Sequence, residues 1–293
     1  MTYKTFAIAG GLGGGVPGSA NIGNLIVKNL IKYPGVQVKV LARAGSVNSD
    51  SAKELESLGV TVVPVDYSNQ ESLIAAIKDV QVIISTLTTT ALAVQSALAD
   101  AAAAAKQQGG NIELFVPSEF GNDTSDVDES SPLWVKKQLH TQLRRLGIPY
   151  TLFINGPFAD WIAAFTGPDK QGKITIVGSG DELVSFTAIN DAARFIAHVL
   201  ATQPPSELQN AVYRIQGSTA TFNELAALYK AKSAKPIEVV YETPEEALER
   251  FKKGDFIAFL KAEWASGGGY VGEPVRNDVW KDWKPKDVRE FVQ

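Results

Sequence analysis

The chain has 293 residues, 45% of them hydrophobic, with 25 Gly, 14 Pro and no Cys. This is the composition of a globular protein with a packed core, and at about 150 residues per domain it predicts roughly two domains. The lack of Cys excludes a disulfide framework, thiolate metal sites and a cysteine nucleophile, and a net charge of −4 supplies no general field for nucleic acid or an anionic membrane.

Only His140 and His198 offer imidazoles, and neither has a partner at metal-ligand spacing, so no metal site is expected. The chain starts with Met1 and runs straight into an apolar strand pattern, leaving no room for a signal peptide. The uncharged stretch 80–99 holds Gln81, Ser85, Thr86, Thr88, Thr89, Thr90, Gln95 and Ser96, and reads as strand, loop and helix start instead of a membrane span. The expected setting is the cytoplasm.

Strand and helix patterns alternate through the first half. Residues 6–9 form a β-branched run, and a Gly-rich stretch leads to a helix with Ile22, Leu25, Ile26 and Leu30 on one face. A strand over 38–42 precedes a helix over 52–58 stopped by Gly59; a strand over 60–65 precedes a helix over 71–77. Residues 80–85 form the next strand, 92–107 an alanine-rich helix ended by Gly109 and Gly110, and 114–116 a fifth strand. A helix over 134–146 ends at Gly147, and 150–154 is a sixth strand. Strands separated by helices of this length require right-handed crossovers and a parallel sheet covered on both faces, a doubly wound α/β domain.

After Gly156 the rhythm breaks. Strands over 173–177, 184–187 and 211–215 mix irregularly with helices over 192–202 and 222–231. The expected division is 1–155 as a dinucleotide-binding domain of the Rossmann type and 156–293 as a smaller substrate domain. Segments such as 184–202 are candidates for packing back on the sheet.

In a doubly wound sheet, ligands bind beyond the carboxyl ends of the strands, so the loop after the first strand is the place to look. It runs Gly10-Gly-Leu-Gly13-Gly-Gly-Val-Pro-Gly18-Ser-Ala-Asn-Ile-Gly23. Glycines let backbone N–H groups close on a pyrophosphate that sits at the positive end of the next helix. Gly10 and Gly13 fit the start of a GxxGxxG pattern, and Gly23 is taken as the helix-packing glycine, with 14–21 inserted. A literal GxGxxG at Gly13, Gly15 and Gly18 is the alternative, with Pro17 inside it. At the end of the second strand Arg43 stands where NAD-specific sites carry an acid, and a guanidinium pairs with a 2′-phosphate that a carboxylate repels. The expected cofactor is therefore NADP(H), with Lys53 either a second positive charge or a solvated helix lysine.

Here the residues resemble a known family, the isoflavone reductase-like and NmrA-like atypical short-chain reductases, which include phenylcoumaran benzylic ether and pinoresinol-lariciresinol reductases. The likeness rests on Val40-Leu-Ala-Arg43, Leu58-Gly-Val60, Val82-Ile-Ile-Ser-Thr86, Phe115-Val-Pro-Ser-Glu-Phe-Gly121 and Leu146-Gly-Ile-Pro-Tyr-Thr151. Beyond Gly156 it is looser. The resemblance implies a helix lysine eleven residues before the Gly-Ile-Pro turn as catalytic acid/base, which is Lys136, with Lys137 as the neighbouring register. Tyr-xxx-Lys, the pair of ordinary short-chain dehydrogenases, is absent from the chain.

The resemblance also implies that Thr86 and Leu87, Pro117 and Ser118, and Phe158 lie near the cofactor. A partly buried lysine beside a cationic nicotinamide has its charged form disfavoured, which suits it to proton transfer. Asn155-Gly-Pro-Phe158 departs from the family's usual Ser-Asn-Cys-Phe, and so does the long loop. His140 is expected on the helix surface, the acidic run 123–129 as a solvated loop, and Trp161, Phe165, Trp264, Trp280 and Trp283 as core or as an aromatic pocket. The expected activity is NADPH-dependent hydride delivery to an aromatic or phenolic small molecule by a monomer or homodimer. A cofactor-sensing regulator and a quinone reductase are the alternatives.

Overall fold

The computed structural model describes residues 2–13, 20–88 and 91–293. In chain order its elements are β1 (Thr5–Ala9), α1 (Ile22–Leu30), β2 (Gln37–Arg43), α2 (Asp50–Ser57), β3 (Thr61–Val65), α3 (Gln70–Ile77), β4 (Val82–Ser85), α4 (Val94–Gln107), β5 (Leu114–Val116), α5 (Trp134–Arg145) and β6 (Thr151–Ile154). The expected elements of this half all form, with ends within two residues. There follow α6 (Ile162–Thr166), β7 (Lys173–Val177), β8 (Val184–Phe186), α7 (Ile189–Thr202), α8 (Pro205–Leu208), β9 (Ala211–Arg214), β10 (Ser218–Ala220), α9 (Phe222–Lys232), β11 (Glu238–Glu242), α10 (Pro244–Lys252) and α11 (Phe256–Glu263).

The chain divides into two compact units. The first comprises 1–119, 124–153 and 192–213; the second comprises 120–123, 154–191 and 214–293. Most of α7, on the C-terminal side of residue 156, thus belongs to the first unit.

In the first unit β1 to β5 form a parallel sheet in the order β3-β2-β1-β4-β5. The order reverses at β1, whose neighbours are β2 and β4, so the doubly wound class expected from the alternation is what forms. Phe115 of β5 continues the arrangement through a parallel bridge to Tyr150, and β6 pairs with β9.

Every residue of β4 and β5, and all of β1 but Thr5, is buried, as a sheet covered by helices on each side demands. Ile83 and Phe115 pack with Leu98, Ala102, Leu139 and Leu143 of α4 and α5 in one core. The alanines of α4 let that helix lie close to its neighbours, and Ala101, Ala102 and Ala105 are fully buried. Local capping sets the helix starts: Asn21, Ser49 and Asn69 each accept a backbone N–H at the first turn of α1, α2 and α3. His198 of α7 is held by the Tyr33 hydroxyl, 3.0 Å from Nδ1.

The second unit contains two small pairings, β7 with β11 in parallel and β8 with β10 antiparallel. Its core is aromatic: Phe165 meets the Trp264 ring edge-on at 4.9 Å, and Phe222 stacks on it at 5.7 Å. Thr221 and Thr243 open α9 and α10 with capping boxes closed by Glu224 and Glu246.

The buried Thr151 hydroxyl of β6 donates to the Leu208 carbonyl of α8. Thr151→Val keeps the shape and removes the donor, so it is expected to cost about 1–3 kcal/mol, read as a lower urea midpoint at unchanged slope. An unchanged midpoint would show that the carbonyl recovers its bond from elsewhere.

Candidate active site

The parallel register sets Ala9 opposite Ser85, so the chains leaving β1 and β4 emerge side by side. Thr86 is locked there: its N–H and its hydroxyl both donate to the Ala9 carbonyl, at 2.8 and 3.0 Å. Gly10 turns away at φ +94°, where a side chain is strained, and a Cβ would lie 2.7 Å from Thr86 Oγ1. A Cβ on Gly23 would run into the same hydroxyl and come within 2.9 Å of the Gly10 carbonyl. A Cβ on Gly13 would meet nothing within 4 Å. Of the inserted 14–21, residues 14–19 lie outside the described residues, and with them Gly15, Pro17 and Gly18 of the alternative motif.

The loop after β5 closes against the loop after β4. Ser118 donates its hydroxyl to the Leu87 carbonyl at 2.9 Å, and its N–H goes to Oε1 of Gln95, a buried residue at the start of α4. Thr86, Leu87, Pro117 and Ser118 thus sit together at the carboxyl ends of β4 and β5.

Arg43 ends β2, is exposed, and makes no ion pair among the described residues. Beside it Tyr67 is partly buried, its hydroxyl 3.4 Å from the Leu41 carbonyl; burial pushes the phenol up to about 12, against the pull of Arg43. Tyr67 was not singled out in the sequence, where it is one aromatic in a loop. Lys53 is exposed on α2 and has no ion-pair partner among the described residues.

Lys136 stands in the first turn of α5 and is partly buried. Its Nζ donates to the main-chain carbonyl of Glu119 at 2.9 Å. Burial pushes its pKa below the ordinary lysine range, and the Glu119 charge opposes that shift. Lys137 turns elsewhere, donating to the Val127 carbonyl at 2.8 Å with its ammonium 5.4 Å from the Trp134 ring centre.

The sequence missed what surrounds Lys136. The Glu119 side chain is 1% exposed; Thr124 donates to its Oε1, and His140 Nε2 lies 3.4 Å from its Oε2. His140 is not on the helix surface as expected but 4% exposed, stacked on Tyr150 at 5.6 Å between ring centres. Helical periodicity alone put it on a polar face; Tyr150, at the edge of β6, covers that face. A carboxylate three residues past the apolar run 114–116 was the available signal.

Phe158 belongs to the second unit, where it bridges Thr187 in parallel and meets Trp161 edge-on at 5.2 Å. Phe165, Trp264 and Trp283 are buried core residues, and Trp283 Nε1 donates to the Asp191 carbonyl. In the acidic run Thr124 is buried, Asp123 pairs with Arg214, and Asp128 receives both the N–H and the hydroxyl of Ser130.

Comparison with known proteins gives the family. The model of the NmrA-like family matches residues 16–292. An isoflavone reductase homologue of Nicotiana glauca is 31% identical over 253 residues, 82% of this chain and 79% of its own. A phenylcoumaran benzylic ether reductase of Pyrus communis is 32% identical over 255 residues, 81% of this chain and 80% of its own. Among solved structures, a binary complex of Vitis vinifera leucoanthocyanidin reductase with NADPH shares the fold at a TM-score of 0.81 and 22% identity, covering 98% of this chain and 97% of that one. The chain belongs to the NmrA-like family.

The crevice makes a steric prediction. Gly23→Ala drives a methyl into Thr86 and is expected to cost about 1–3 kcal/mol of stability, whereas Gly13→Ala stays within about 0.5 kcal/mol. Equal denaturation midpoints for the two variants would refute the close approach.

Proposed function

We propose that this member of the NmrA-like family is an NADPH-dependent oxidoreductase of the isoflavone reductase-like kind, acting on an aromatic or phenolic small molecule such as an isoflavone, a benzylic ether or a related enone. The observation that carries the reading is the placement of Lys136. A partly buried amine of lowered pKa stands against the segment that leaves β5, two residues beyond Pro117 and one beyond Ser118. A cofactor-sensing regulator has no use for such a group.

The residues present fit the cofactor. Gly10 and Gly23 leave the first turn without the Cβ atoms that would block it, and Gly13 has open space on its Cα. Arg43 is exposed and pairs with no carboxylate among the described residues, and its guanidinium is the donor set for a 2′-phosphate. When bound, NADPH supplies the hydride. The protein's part is to hold the pyrophosphate at the start of α1, to select the phosphorylated ribose, and to move a proton. Lys136 Nζ does the last: as the neutral amine it takes a phenolic proton, and as the ammonium it protonates a developing enolate. Residues 156–293 are assigned the selection of substrate. No helix among the described residues is long and apolar enough to cross a membrane.

Two substitutions test these roles. Arg43→Ala should weaken NADPH by about 10-fold or more, the size of a charge-assisted phosphate contact, and leave NADH unchanged in a fluorescence titration. An equal loss for both would remove Arg43 from the 2′-phosphate. Lys136→Ala should bind NADPH as the wild type does but lose about 100-fold or more in turnover across a panel of isoflavones, lignan precursors and quinones. Retained turnover would place the proton transfer elsewhere.

A further inference from the structure

We propose that Glu119 is the positioning residue of Lys136, its carbonyl oxygen fixing Nζ and its buried carboxylate serving as the counter-charge, with Thr124 holding that carboxylate in place. The inference rests on the acid/base reading of Lys136 given above. Both halves of the residue are confined. The main chain accepts the Nζ hydrogen bond at 2.9 Å, and the side chain is 1% exposed.

A carboxylate is almost never buried so deeply without partners, because its desolvation is costly. Thr124 satisfies Oε1, and among the described residues Oε2 has no hydrogen bond, with His140 Nε2 3.4 Å away. Lys136 Nζ, bound to the main-chain oxygen of the same residue, is the cation we assign to this carboxylate. The titratable groups around this cluster are Glu119 from the segment after β5, His140 one turn further along α5, and Tyr150 stacked on His140. Tyr150 in turn takes a hydrogen bond from Arg144 at 3.2 Å.

The arrangement closes on itself: Glu119 and Thr124 flank the excursion 120–123 into the second unit, and their hydrogen bond ties its two ends together. The lysine is thereby anchored to a segment fixed at both sides. Burial favours deprotonation of the amine and the Glu119 carboxylate opposes it.

The test needs neither substrate nor cofactor. Brief labelling of the protein with acetic anhydride across a pH series, followed by peptide mass spectrometry, gives the pH midpoint of Lys136 with exposed Lys53 as the internal reference. In Glu119→Gln the Lys136 midpoint should fall by about one pH unit or more, the effect of removing an opposite charge in a buried setting. A packing defect does the opposite: it admits water and raises the midpoint toward the ordinary lysine value of about 10.4. A midpoint unchanged or raised, in a variant whose circular dichroism and thermal melt show it folded, overturns the proposal.

Where Glu119→Gln does not fold, Glu119→Asp decides. It keeps the charge and should hold the midpoint within about half a pH unit of the wild type; a fall of one unit or more with the charge retained overturns the proposal. Turnover of Lys136→Ala is a separate measurement. Retained turnover there refutes the acid/base reading and leaves the labelling result standing.

Discussion

The site depends on one close approach, that of the first β–α turn to Thr86. Because β1 lies between β2 and β4, the chain leaves β1 on the seam where the sheet changes direction, and there the main chain of Ala9 is already spoken for by Thr86. No side chain fits between that hydroxyl and the turn. Glycine at 10 and 23 follows from this geometry, and the N-terminal end of the helix that begins at Ile22 is brought to the mouth of the crevice.

Electrostatics in this region are local. The chain as a whole is acidic, yet the described crevice carries Arg43 at the end of one strand and Lys136 beside another. The two cations are treated oppositely. Arg43 stays in water, where its charge costs little and is available to an incoming anion. Lys136 is drawn in among Glu119 and the segment after β5, where the ammonium is disfavoured by burial and donates to the Glu119 main-chain carbonyl.

The fold was legible in the chain order of patterns because each strand of the sheet is a short β-branched run and each helix ends in glycine or begins at an Asn or Ser cap. Those are local signals, and β1 to β6 with their helices follow them. Arg43 was legible because its position at a strand end is itself a local fact. Glu119 and His140 were not: they come together because Tyr150, beside β5 at the edge of β6, closes over a helix face that periodicity calls polar. The assignment of 192–213 to the first unit is of the same kind, since the buried residues of α7 show an apolar face but not what it covers.

That assignment shapes how such a protein can be rebuilt. The chain passes between its two units at 119/120, 123/124, 153/154, 191/192 and 213/214. A cut near residue 155 therefore severs β9 from β6 and takes away the helix whose His198 is held by Tyr33, leaving an apolar strand edge without its partner. Recombination between relatives meets the same obstacle. A new second unit cannot be grafted as one contiguous block; it has to arrive as three separate stretches, one of them only four residues long, each joined without disturbing Glu119 and Thr124 on either side of the shortest. Change in such a scaffold is thus channelled into point substitutions and loop lengths, with exchange of whole modules closed to it.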